Sequence, residues 1–551
     1  MSHINADHRR IIKLQRHVLM SVKADVRKSL GAQTKQIRRY YESYKREFRK
    51  PVRHSNKEEL LKECVKSHII LMGDYHTFAQ SQKTALRLLR ELINWETPIT
   101  LALEIFPSTY QSLVEKYLDG TLEETEFLKQ TNYQTTWGFP WEHFRPLFVF
   151  AKEHKISILV LNLLNESLEA RDTHAAAIIA EHANQNPKHK IFALYGDLHL
   201  AKNHIPKYIK NELRKKNTNR RVLVIFQNSE SLYWKLAAQR MEHSVDVLKL
   251  HQNRYCVMNA APWVKLQSYL QWAEASELFE AEDGFSIHLH EMAQDRLKNL
   301  AEVLNLKIPK DFDINIQTVH NLVFLNHLNH DPSLRREELK MIKYSVLGNR
   351  TFFLPNKNLI YLASTSVNAL CEGVSMLAHS ILSHNKTFFW DTKNHFFGAV
   401  ISYMLAYFGS KILNYKRKCD LENDYQFLLE RRLPKKVLPQ ERLQRKIAKL
   451  VLAHCKAQRE YLRGNSFRMP TFLKGTSRLP IFLETTRSLG FILGEKIFTS
   501  HIEGRFSIEK IESIFLTQHL DNPRETKKLY LKILTSLEST SLAHSSKMDL
   551  L

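Results

Sequence analysis

The feature that most narrows the fold of this chain is a set of five short apolar runs between residues 68 and 227. They are His68–Gly73 (HIILMG), Ile99–Ile105 (ITLALEI), Ile156–Leu163 (ISILVLNL), Lys190–Gly196 (KIFALYG) and Arg221–Gln227 (RVLVIFQ). Longer stretches of helical periodicity separate them. A strand that is apolar throughout must be covered on both faces, which is the condition of a parallel sheet between helical layers. Right-handed βαβ crossovers then connect the strands. Val245–Met258 adds an edge strand or a hairpin. Beyond residue 262 the strand pattern stops, and helical periodicities continue, broken by polar linkers such as Asn329–Ser333 and Leu433–Gln440. The expected fold class is α/β, a parallel sheet with helices on both faces, fused to a C-terminal all-helical domain. The expected divisions are a basic helical segment over 1–60, the α/β domain over 61–262 and the helical domain over 263–551.

Ligands of open parallel sheets bind outside the carboxyl ends of the strands. The first run is followed by Gly73, Asp74, Tyr75 and His76, and the fourth by Gly196, Asp197, Leu198 and His199. Gly-Asp-x-His thus occurs twice, each time directly after a buried strand. Glycine permits a sharp exit and a close backbone approach. The second run ends in Glu104 and the third near Asn162 and Asn165. Neighbouring strands lie about 4.8 Å apart, so His76, Glu104 and His199 can converge on one point.

Two imidazoles and a carboxylate suit a divalent metal with an open water position, a general base with an orienting acid, or the wall of a cofactor pocket. Asp74 and Asp197 are candidates to orient these groups from behind. Arg171, followed by Asp172, opens the helix after the third strand and is a candidate to clamp an anion. Trp137, Trp141, His143 and Phe144 form an aromatic cluster, read first as core and second as a pocket wall.

Charge is localised. Lys and Arg number 81 against 57 Asp and Glu, a net +24. Residues 1–55 hold 15 basic and 4 acidic residues, and 411–460 hold 14 and 6, so these two segments carry most of the surplus. Basic surfaces suit anionic partners, and a peripheral membrane contact through basic helices stays open. No helix-turn-helix or finger pattern is present, so specific nucleic-acid binding is not expected. Ile11, Leu14, Val18, Val22 and Val26 recur at helical spacing on a basic helix, expected to pack on its own protein. The first residues contain apolar runs of two or three, against the roughly 7–15 of a secretory leader. Phe396–Gly409 is apolar over 14 residues, short of the roughly 20 that span a bilayer. Five scattered cysteines without a CxxC fit a reducing compartment. A cytoplasmic protein is the expectation.

Within the helical half, Asn368, Glu372, Ser375 and His379 share one face of an apolar helix, next to Cys371. They are read as satisfied core polar groups. Asp391, Asn394 and His395 sit near Trp390 and receive no assignment.

Together, GDYH at 73–76, LALEIF at 101–106, LNLLN at 161–165, ARDTHAAAI at 170–178 and YGDLHL at 195–200 resemble the ChaN-like haem-binding uptake proteins. These share a superfamily with erythromycin esterase and the TraB/Tiki proteins. The resemblance covers about residues 60–230. It implies a parallel α/β sheet with its site at the strand ends, and haem or another iron-bearing ligand held in a homodimer by tyrosine with histidine nearby. Tyr75 and Tyr195 flank the motifs and are the tyrosine candidates. The same resemblance allows a hydrolase of esterase or metallopeptidase type, with His76, Glu104 and His199 as its catalytic or metal-binding residues. The remaining alternative is a non-enzymatic scaffold with basic helices.

Overall fold

The computed structural model describes residues 2–542 except 96, 278–281, 310–313, 319–321, 390–393, 432–437 and 471–478. Trp390, Asp391 and most of the Leu433–Gln440 linker therefore lie outside the described residues. The chain divides into two compact units, one of residues 21–275 and one of residues 1–20 with 276–549.

The first unit is built on an eight-stranded sheet. Its strands are β1 (Arg53–Ser55), β2 (Ile69–Asp74), β3 (Ile99–Pro107), β4 (Ser157–Asn162), β5 (Lys190–Gly196), β6 (Val222–Gln227), β7 (Val247–Lys249) and β8 (Arg254–Val257). The order across the sheet is β1-β7-β8-β6-β2-β5-β3-β4. From β8 to β4 every neighbouring pair is parallel. β7 turns back antiparallel against β8, and β1 against β7. The five apolar runs are β2 to β6, which lie together as β6-β2-β5-β3-β4 with β4 at the edge of the sheet, and Val245–Met258 is a hairpin. The short edge strand β1 has no apolar signal, because its pairing is made by backbone alone.

β2, β3, β5 and β6 are buried along their whole length. On one face, Ile70, Met72, Leu223 and Ile225 join a core with Leu86 and Leu89 of the helix Ala79–Leu92 and Leu147 and Phe148 of Trp141–Glu153. Side chains alternate along a strand, so Ile69 and Leu71 serve the opposite layer. There Leu168–Gln185 packs beside Ile205–Lys215. Lys190, at the start of β5, is buried and donates from Nζ to the carbonyls of Cys64 and Val65, each at 2.9 Å, and of Ser67. Cationic donors suit the carbonyl end of a helix, here Lys57–Lys66.

The second unit is mainly helical, and in it the apolar helix Phe396–Leu413 packs along the helix Leu479–Ile502. The first of these meets the length and hydropathy of a membrane span, yet 94% of that stretch is buried inside the protein. The structure adds a three-stranded sheet to the helices expected here. β9 (Asn315–Thr318) pairs parallel with β11 (Leu359–Leu362), which pairs antiparallel with β10 (Phe352–Leu354). These strands are three or four residues long, below the length at which periodicity identifies a strand. The apolar stripe Ile11, Leu14, Val18, Val22 and Val26 of the helix Ser2–Leu30 is buried.

Candidate functional site

The strand order sets the site. β5 lies between β2 and β3, so the two Gly-Asp-x-His exits and the end of β3 are side by side. In register, Gly73 faces Tyr195 and Asp74 faces Gly196. Pairing of β3 with β5 stops at Leu103 opposite Leu194. The next residue, Glu104, completes the ladder with its side chain: Oε2 accepts the Gly196 N–H at 2.7 Å. Its other oxygen, Oε1, accepts from Arg171 Nη2 at 2.5 Å.

The two histidines meet over Gly196. A Cβ there would lie 3.3 Å from Glu104 Oε2, 3.3 Å from His199 Cδ2 and 3.6 Å from His76 Cε1. A Cβ would be tight there, so close approach favours glycine at this strand exit. Gly73 is required more strictly, because a Cβ would lie 1.8 Å from Asp197 Oδ1.

Each imidazole is held from behind by a carboxylate. His76 donates from Nδ1 to Asp74 Oδ2 at 2.8 Å, and Asp74 Oδ1 accepts from Gln82 Nε2 at 2.6 Å. His199 donates from Nδ1 to Asp172 Oδ1 at 2.5 Å, and Asp172 Oδ2 accepts from the Tyr40 hydroxyl at 2.9 Å. The two motifs therefore use different aspartates. Asp74 orients the histidine of its own motif. Asp197 does not hold His199; it accepts from Lys265 Nζ at 2.8 Å and the Tyr44 hydroxyl at 3.4 Å.

Burial alone would drive the Glu104 carboxyl up. The Arg171 guanidinium, the two imidazoles and the Gly196 N–H outweigh it and hold the group below its ordinary range, so it is a carboxylate at neutral pH. Burial would lower His76, but the hydrogen bond and charge of Asp74, with Glu104 Oε2 3.8 Å from Nε2, raise it above an ordinary imidazole. Asp197 is raised by burial, against the pull of Lys265.

Both oxygens of Glu104 are engaged, and among the described residues no group of three or more His, Cys, Asp or Glu is arranged to hold a metal ion. Arg171, the expected anion clamp, is likewise spent on this internal carboxylate. Tyr195 is fully buried, edge-on to the His199 ring at 5.1 Å, and burial raises its phenol far above the ordinary value. Tyr75 is also raised by burial and lies under Lys265 Nζ, 4.9 Å from the ring centroid. Neither is poised as a phenolate. Asn162 closes the turn after β4, its amide oxygen accepting the Leu163 N–H at 2.9 Å.

An aromatic wall stands beside His76. Trp137 and Phe139 lie 4.6 and 5.0 Å from its ring, and Trp272 lies 4.9 Å from Phe139. All three are half-buried. Phe144 is part of the core, and Trp137, Phe139 and Trp141 all pack against it. The sequence reading gave no role to Asp172, Tyr40, Gln82 or Lys265. Only Asp172 had a local signal, adjacent to Arg171. Tyr40 and Lys265 reach the site from segments expected to lie outside the α/β domain or at its edge.

Residues 60–170 match the family described as "Haem-binding uptake, Tiki superfamily, ChaN". The match includes Asp74, His76 and Glu104 and stops before Arg171 and the second motif. A similar solved structure is "Cofacial heme binding to ChaN of Campylobacter jejuni", 16% identical, covering 32% of this chain and 88% of that one with a TM-score of 0.25. No curated protein matches the chain. Over residues 60–170, which hold the first motif and Glu104, this chain is similar to the ChaN-like proteins, and β5 brings the second motif beside that matched segment.

Proposed function

We propose that the α/β unit binds haem, or a related planar iron-bearing ligand, at the carboxyl ends of β2, β3 and β5. The observation that carries this reading is the pair of carboxylate-backed imidazoles. With Nδ1 of His76 and of His199 committed to Asp74 and Asp172, Nε2 is the nitrogen left for a ligand, and at His76 the Asp74 carboxylate raises the basicity of the ring. The half-buried rings of Trp137 and Phe139 beside His76 offer an apolar face to a planar macrocycle. Haem iron accepts an imidazole nitrogen axially. In this reading His76 and His199, rather than Tyr75 or Tyr195, would hold the iron. Glu104, fixed by Arg171 and Gly196, anchors the floor beneath His76.

The test is a hemin titration of the full chain followed in the Soret region. A saturable shifted band at one equivalent or fewer is expected, weakened by roughly tenfold or more in His76→Ala or His199→Ala, the scale of losing one good ligand contact. A wild-type spectrum equal to free hemin plus protein would overturn the reading. Sedimentation with and without hemin reports whether a second copy shares the ligand.

A second reading rests on the Asp74–His76 pair itself, an oriented imidazole of raised basicity suited to general-base hydrolysis. It expects turnover of ester or peptide substrates that His76→Ala abolishes. A broad substrate panel without activity removes it.

A further inference from the structure

The two sides of the helix Lys35–Glu47 have different fates. Its inner side is spent on the α/β unit. The Tyr40 hydroxyl donates to Asp172 Oδ2 at 2.9 Å, and Glu47 Oε1 accepts the Lys202 N–H at 2.7 Å. Tyr40, Tyr44, Glu47 and Phe48, the residue that ends the helix, are buried. These contacts fix which side of the helix meets solvent.

That outer side is cationic. Residues 35–50 hold seven Lys and Arg against Glu42 and Glu47, and Glu47 is turned inward. Lys35, Arg46, Arg49 and Lys50 are exposed and pair with no carboxylate among the described residues. Apolar side chains stand among these charges. Ile37 is 36% exposed and Tyr41 40%. Ile37, Tyr41 and Lys45 follow at four-residue intervals along one side of the helix, and Lys45 Nζ lies 4.8 Å from the Tyr41 ring centroid. The preceding helix, Ser2–Leu30, carries Arg27 and Lys28 in its last turn and ends in Leu30, which is 44% exposed.

This mixture selects a partner. Cations without carboxylates repel a second copy of the same face and attract an anionic surface. A nucleic-acid backbone meets Lys and Arg through its phosphates but offers Leu30 and Ile37 nothing apolar. A bilayer offers both: lipid phosphates for the cations, and the boundary of headgroups and acyl chains for Leu, Ile and Tyr. We propose that the outer face of Lys35–Glu47, with Arg49 and Lys50 beyond it, docks on an anionic lipid bilayer. The surface uses neither histidine of the α/β site and stands apart from the haem reading.

The experiment is co-sedimentation of the full chain with vesicles of phosphatidylcholine alone and with vesicles that contain about one-third phosphatidylglycerol. The chain is expected to pellet with the anionic vesicles and to stay in solution with the neutral ones. Arg46→Gln, Arg49→Gln and Lys50→Gln together should weaken binding by roughly tenfold or more, because each cation near an anionic surface contributes about fivefold. The five native cysteines are buried, so a solvatochromic label can be placed on Ile37→Cys alone. Its emission should shift to the blue with anionic vesicles and stay unchanged with polyuridylic acid. Equal pelleting with both vesicles, undiminished binding by the triple variant, or an unshifted label would each overturn the proposal. The second outcome would assign the binding to the cations of residues 411–460. The third, with capture by polyuridylic acid, would assign the face to nucleic acid. The comparison of the two vesicles uses the unaltered chain and decides the matter even if a variant does not fold.

Discussion

At the scale of single residues, the site is a set of buried polar groups that hold one another. His199 depends on Asp172, and Asp172 depends on Tyr40, which is fully buried and stacks on His204 with ring centroids 3.7 Å apart. Tyr40→Phe keeps the ring and removes one donor. It leaves a buried carboxylate oxygen short of a partner, a loss of about 1–3 kcal/mol. A urea midpoint lowered in proportion to that loss, together with weaker hemin binding, is the expected outcome. An unchanged midpoint would mean that water replaces the hydroxyl. The same logic explains why Asp197 and Asp74 differ despite identical motifs. Asp197 sits against Gly73, where no side chain fits, and its charge is taken up by Lys265. That leaves the orientation of His199 to a carboxylate on another element.

At the scale of elements, helices and strands set how each buried group titrates. The helix Pro439–Leu462 presents His454 to the rings of Phe396, Phe467 and Tyr530, at 5.0, 5.5 and 6.1 Å. Both ring nitrogens are without partners among the described residues. Burial pushes this imidazole to about 3, and His379 to about 4. In the unfolded chain both titrate near 6.5. Because the folded values are depressed, the unfolded chain takes up protons first as pH falls. Their share of stability is therefore intact above about pH 6.5 and is lost as pH falls towards the folded values. Thermal melts should show the helical unit weakening from pH 7 to 4.5. His454→Leu should raise the midpoint more at pH 5 than at pH 8. An equal gain at both would mean that His454 does not titrate on unfolding.

At the scale of the whole molecule, a net charge of +24 concentrated in two segments predicts a long-range attraction to anionic surfaces. Retention on anionic vesicles should fall steeply between about 0.05 and 0.5 M salt, where the Debye length shrinks below contact spacing. It should be indifferent to His76→Ala and His199→Ala. Binding that those changes abolish would tie the surface effect to the site instead. Much of the architecture was legible along the chain. Strands β2, β3, β5 and β6 carry their own signal, because burial on both faces leaves no room for polar alternation; the edge strand β4 is buried over its second half, and the hairpin at Val247–Val257 shows as a sixth apolar stretch. The convergence of His76, Glu104 and His199 followed from the rule that parallel strands deliver their exits to one edge. β1 and β9 to β11 were not legible, being three or four residues long and held by pairing rather than by pattern. Nor were the partners of the site. The pairing of His199 with Asp172, the commitment of Arg171 to Glu104, the interior position of Tyr195 and the reach of Tyr40 and Lys265 into the site are contacts across 27 to 132 residues. Local sequence determines which residues leave a strand and in which direction. Only the packed structure decides which buried charge answers which, because that choice depends on distances that no local pattern encodes.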